Sequence, residues 1–97
     1  MGERAAERAT ITKLVLDVLK PHQPSIVEFA VALTKVKGVE RVDSSVMEVD
    51  AETETIKVVV EGKDLEVDAI AEKIRDLGGV VHSVDAVVAE VRRSERR

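Results

Sequence analysis

The chain has 97 residues, 44% hydrophobic and 35% charged, with a net charge of −4; this is one soluble domain's worth of chain, too apolar for wholesale disorder. It has no Cys, Trp or Tyr and a single Phe, which excludes disulfides, zinc–thiolate and iron–sulfur sites, a thiol nucleophile and a base-stacking aromatic sheet. Residues 10–89 carry 9 basic against 15 acidic side chains, so the body repels a phosphate backbone and nucleic acid is not an expected partner.

Residues 1–9 lack a period and read as a loose lead-in. Thr10 to Lys20 reads as a strand, with Leu14, Leu16 and Val18 on one face and Val15, Asp17 and Leu19 on the other. Pro21-His22-Gln23-Pro24 ends it. Ser25-Ile26-Val27-Glu28 has the capping-box pattern, and Ile26, Phe29, Ala30, Leu33 and Val36 follow at helical spacing up to Gly38. Val39 to Asp50 reads as a second strand with imperfect alternation around Ser44 and Ser45, Ser44 falling where an apolar residue is expected. A polar turn, Ala51 to Glu54, leads to a third strand over Thr55 to Glu61. Val67, Ile70, Ala71, Ile74 and Leu77 mark a second amphipathic helix closed by Gly78-Gly79. Val80 to Val91 is a valine-rich fourth strand, and residues 92–97 form a basic tail that reads as a frayed terminus. No apolar run approaches the ~20 residues of a membrane span, and no signal-peptide core opens the chain; the expected location is the cytoplasm.

The order βαββαβ predicts an α+β, ferredoxin-like sandwich over residues 10–91: a four-stranded antiparallel sheet, order 4-1-3-2, with both helices on one face. The other face then carries Val15, Leu19 and Val59. A partly apolar open face marks an interface, so a homo-oligomer is expected. The topology also gathers Asp17, Lys20, His22, Glu48, Asp50, Glu52, Glu54 and His82 at one end of the sheet.

Each candidate at that end has a plainer reading. The alternate carboxylates Asp50, Glu52 and Glu54 suit a hard cation, but Thr55 stands where a calcium-binding EF-hand needs Gly. Asp17 falls opposite Lys57 if the first and third strands pair in their natural register, which predicts a cross-strand ion pair. His22 and His82 could serve a transition metal, yet their separation carries no metal-site spacing. Ser83 and Asp85 beside His82 do not make a catalytic relay, because alternate strand residues share a face without lining up. Gly62-Lys63-Asp64 lacks a phosphate-loop pattern. The missing Asn and Cys-x-x-Cys exclude acylphosphatase-type and copper-carrier versions of the fold. An ACT-like module sensing a small metabolite at a subunit interface stays open.

Leu16-Asp17-Val18-Leu19-Lys20-Pro21-His22 with Pro24, Gly38-Val39-Glu40, Met47-Glu48-Val49-Asp50 with Glu52-Thr53-Glu54, and Gly78-Gly79-Val80-Val81-His82-Ser83-Val84-Asp85 together resemble the archaeal family known as domain of unknown function 211. The resemblance covers about residues 11 to 91. It implies a ferredoxin-like subunit of closed or stacked rings, no settled activity, and an association with a divalent cation, calcium foremost. Its motifs fall on Asp17, His22, Glu48, Asp50, His82 and Asp85. The expectation is therefore a non-enzymatic, ring-forming homo-oligomer. Asp17, Glu48, Asp50, His82 and Asp85 would be its metal ligands, Lys20, His22, Glu52 and Glu54 its ligand contacts, and Val15, Leu19 and Val59 its subunit interface. An enzyme with His82 as acid or base is the third reading.

Overall fold

A computed structural model describes residues 7–93. Its elements are β1 (Glu7–Pro21), α1 (Ile26–Leu33), β2 (Val39–Val49), β3 (Thr53–Gly62), α2 (Val67–Asp76) and β4 (Val80–Arg93). They form one four-stranded sheet in the order β2-β3-β1-β4, with every neighbouring pair antiparallel. This is the ferredoxin-like α+β arrangement.

Alternation along the strands sends Leu14, Leu16 and Val18 of β1 and Ile56, Val58 and Val60 of β3 to one face, all at most 1% exposed. Phe29 and Leu33 of α1, Ile70 and Ile74 of α2, and Leu65 close over them. The capping box starts α1 as its sequence indicates: the Ser25 hydroxyl accepts from the Glu28 amide at 3.2 Å, and the Ser25 amide donates to Glu28 Oε1 at 3.3 Å. The helix proper stops at Leu33, short of Gly38. Thr34, Lys35 and Val36 donate to carbonyls three residues back, a tighter winding that Val36 uses to reach the core edge. At the end of α2, the Gly79 amide donates to the Ile74 carbonyl and the Gly78 amide to that of Arg75, both at 2.9 Å. With Gly78 at φ +91°, this is a Schellman stop.

β1 and β4 are longer than their periodicity indicates. β1 begins at Glu7 and β4 runs to Arg93 because the two pair with each other, Glu7 opposite Arg93. The lead-in and basic tail expected at the termini otherwise lie outside the described residues. Strands of 15 and 14 residues extend roughly 45–50 Å, whereas helices of 8 and 10 residues are about 12–15 Å long. Much of β4 therefore has no helix over it, and Val84, Val87 and Val91 are half-exposed. Register shifts at Ile11/Lys13, Val15/Leu16 and Asp17/Val18 against β4, and at Val46/Glu48 in β2, set which face each edge residue occupies.

Candidate functional site

The end of the sheet where β1 finishes and β3 begins holds two arrangements, one on each face. Strand alternation carries Lys20 to the helix-covered face after Leu14, Leu16 and Val18, and its side chain is completely buried. Such a burial is tolerated only when the ammonium is paired and its donors are used. Lys20 Nζ donates to Glu54 Oε1 at 3.1 Å and to the Pro21 carbonyl at 2.8 Å, and lies 6.0 Å from the centre of the Phe29 ring, within cation–π range. Glu54 is the residue directly opposite Lys20 in the β1–β3 register, so the pair follows from strand pairing alone.

The second oxygen of Glu54 is held by His22. Nδ1 of His22 lies 3.0 Å from Glu54 Oε2, and Nε2 lies 3.0 Å from the Ala51 carbonyl. A carboxylate and a carbonyl both only accept, and a neutral imidazole has one N–H. Both bonds are complete only with the imidazolium. Accordingly, the Glu54 hydrogen bond, followed by that to Ala51, raises the His22 pKa above 6.5. His22, then Lys20, lowers that of Glu54 below 4.5. The result is a latch that ties the end of β1 to the β2–β3 turn, itself closed by an Asp50 amide to Thr53 carbonyl bond of 2.8 Å.

The latch fixes a pH dependence. The stabilisation from His22, whose folded pKa is raised, is complete below its unfolded value and is lost as pH rises through the folded one. That from Glu54, whose folded pKa is lowered, is complete above its unfolded value and is lost as pH falls through the folded one. The melting temperatures of wild type and His22→Leu should therefore differ most between pH 4.5 and 6.5 and draw together as pH rises above 6.5 through the raised value. A gap that does not narrow anywhere above pH 6.5 would contradict the imidazolium.

On the open face, Asp17, Leu19, Thr55 and His82 line a cleft of about 210 Å³ with Val18. The strand register thus brings Asp17 and His82 together, as the topology predicts. Asp17 is opposite Lys57 as expected, yet the two charges do not close to an ion pair among the described residues. Asp85 accepts from the Ser83 hydroxyl at 2.7 Å, a local bond that leaves His82 out. Glu48, Asp50 and Glu52 are exposed on the end of β2 and its turn. Lys20, His22 and Glu54 are engaged with one another rather than open to a ligand.

Among the described residues no group of three or more His, Asp or Glu side chains is gathered closely enough to hold a metal ion. One chain therefore does not by itself present a chelate from Asp17, Glu48, Asp50, His82 and Asp85. No helix among the described residues is long and apolar enough to cross a membrane.

Val15 and Val59 are direct cross-strand partners on the open face and half-buried, while Leu19 is 41% exposed. The larger apolar exposure lies elsewhere, in places the alternation did not single out: along β4 at Val80, Val84, Val87, Val88 and Val91, on β2 at Val46, Met47 and Val49, and on α1 at Val27 and Val31. The signal was present in β4, which has neither Lys nor Pro between Val80 and Val91. Ser44, where an apolar residue is expected, pairs with Val58. Its Oγ is buried without a hydrogen-bond partner, beside a cleft of about 530 Å³ between α1 and β2.

Comparison with known proteins gives a family and a relative. The DUF211 family, described as uncharacterised ArCR, matches residues 12–95. The uncharacterised protein MJ0319 of Methanocaldococcus jannaschii is 48% identical over 79 residues, 81% of each chain.

Proposed function

The chain belongs to the DUF211 family, and from that premise we propose that it is a non-enzymatic, self-associating subunit whose assembly binds a divalent cation or small ligand at its acidic, His-bearing end. The observation that carries this is the amount of apolar surface without a cover. Leu19, Val80 and Val88 on or beside the open face, and Val46, Met47 and Val49 on the opposite edge, are each 41–63% exposed. Exposed apolar surface of this extent favours association. The cation reading depends on that association. Glu48 and Asp50 occupy one edge strand, whereas Asp17 and His82 share a cleft on the open face; a chelate needs donors from more than one copy. Carboxylate oxygens suit calcium, with the histidines secondary.

The native mass of the protein, measured in EDTA and again with calcium, tests this. A discrete assembly is expected whose melting temperature rises with calcium. The response should be lost in the double variant Glu48→Gln, Asp50→Asn and largely kept in His82→Ala. A monomer in both conditions overturns the self-association. An assembly indifferent to calcium removes the cation and leaves a small organic ligand, the ACT-like alternative, which a thermal-shift screen with amino acids and nucleotides would reveal.

A further inference from the structure

We propose that the open-face cleft between Asp17, Thr55 and His82 binds a primary alkylammonium, the protonated amino group and first methylenes of a small aliphatic amine. One chain holds the whole site, so the inference goes beyond the self-association and cation binding argued above and does not depend on them.

Strand pairing assembles the cleft. Asp17 and Leu19 alternate onto the open face of β1, and Thr55, the direct partner of Leu19, carries β3 to the same face. On the other side, β4 pairs Ser83 with Asp17 and Val81 with Val18, which leaves His82 as the extra residue of a bulge. A bulge re-aims the side chain it carries. His82 thereby joins Asp17, Val18, Leu19 and Thr55 around one cleft of about 210 Å³.

The polar groups of this cleft have no partners in the protein. Among the described residues, the side chains of Asp17, Thr55 and His82 make neither a hydrogen bond nor an ion pair. The latch on the other face is the contrast: there Lys20, His22 and Glu54 satisfy one another. Asp17 even has a cation, Lys57, as its cross-strand partner, and the two stay apart.

The donor and acceptor inventory selects the ligand. A carboxylate accepts, a hydroxyl accepts, and a neutral imidazole accepts at its bare nitrogen, whereas a primary ammonium has three donors and no acceptor. Three acceptors thus meet three donors, and the bond to Asp17 is charge-assisted. Leu19, 41% exposed, offers an aliphatic wall to the stem. A metal ion matches less well, because only Asp17 and His82 are of ligating type and no group of three or more such side chains is gathered among the described residues. No Lys or Arg lines the cleft to receive the carboxylate of an amino acid. Sites for drug-sized ligands occupy roughly 300–1,000 Å³, so this cleft is too small for a nucleotide and suits a short chain.

The probe is n-butylammonium, titrated against the full chain in EDTA at physiological ionic strength. Saturation-transfer difference NMR follows the ligand whatever the size of the protein's assembly. Saturable binding is expected. Asp17→Asn should weaken it about ten-fold or more, and Thr55→Val about two- to ten-fold. Lys57→Met should tighten it by up to about five-fold, since it removes the competing cation opposite Asp17. Glu72→Gln removes the same charge from the exposed side of α2 and should change nothing. N,N,N-Trimethylbutylammonium has the charge without an N–H and should bind at least about ten-fold more weakly. Should Asp17→Asn fail to fold by circular dichroism, Thr55→Val and the quaternary ion decide the matter. Absence of saturable binding to the wild type would overturn the site. Equal binding of the two ammonium ions, or an Asp17→Asn variant that binds as the wild type does, would also overturn it, leaving only the attraction due to any counter-ion. Because EDTA removes divalent ions, amine binding and the calcium response stand or fall separately.

Discussion

Glu54→Gln should destabilise the protein more than Lys20→Met, although the two substitutions break the same ion pair. Glu54→Gln leaves the buried ammonium of Lys20 without a counter-charge, facing only neutral acceptors: the Pro21 carbonyl, the amide oxygen that replaces the carboxylate, and the Phe29 ring. An uncompensated buried charge is the unfavourable half of such a pair. Removing the ammonium leaves Glu54, still bonded to His22 and less deeply buried than Lys20. Met also keeps most of the volume that Lys20 fills, so Lys20→Met should stay within about 1–1.5 kcal/mol of wild type. Lys20→Ala opens a hole among Phe29 and its neighbours and should lose about 2–4 kcal/mol. Urea denaturation of the single variants and of the Lys20→Met, Glu54→Gln double variant gives the coupling. The double variant should be more stable than Glu54→Gln alone. If Glu54→Gln proves as mild as Lys20→Met, the lysine escapes to solvent and the latch is not closed in solution.

Gly62→Ala should lower stability by more than about 2 kcal/mol, a fall in melting temperature of roughly 8–16 °C for a domain of this size. The reason is a corner where two turns meet backbone to backbone. A Cβ on Gly62 would stand 1.9 Å from the Gly38 carbonyl oxygen, and one on Gly38 would stand 2.4 Å from that of Lys63. The Lys63 amide donates to the Gly38 carbonyl across the gap at 2.9 Å. The obstacle in each case is backbone, which cannot rotate away. Gly38 has the added constraint of φ +89°, so its Ala variant is also strained in the left-handed region, by about 1–2 kcal/mol. Thermal denaturation of both variants is the check. A change within 0.5 kcal/mol for Gly62→Ala would mean that the corner opens without loss.

The sheet could be read from the sequence because its central strands keep a strict period of two. Setting Asp17 opposite Lys57 fixes the β1–β3 register, and counting on from there puts Lys20 opposite Glu54, where the structure has them. The ion pair was therefore legible in principle. Reading Glu54 as part of a solvated acidic turn concealed it, since the turn is shorter than its polar composition implies and Thr53 and Glu54 already belong to β3. His22 was not legible: its contacts depend on the path of the Pro21–Pro24 loop, which no period describes. The apolar edges were half legible. The valines are plain in the sequence, but which face each occupies depends on bulges in β1, β2 and β4, and a bulge leaves no reliable mark in an apolar run. The Asp17–Lys57 pair was placed correctly and still does not form, because register brings backbones opposite without bringing charged atoms within reach.

Because Glu7 pairs with Arg93, the described chain enters and leaves the fold side by side. In connectivity the domain is nearly a circle. A short linker between Glu7 and Arg93 would close the described chain at the pole remote from His22 and Glu54 with little loss of loop-closure entropy.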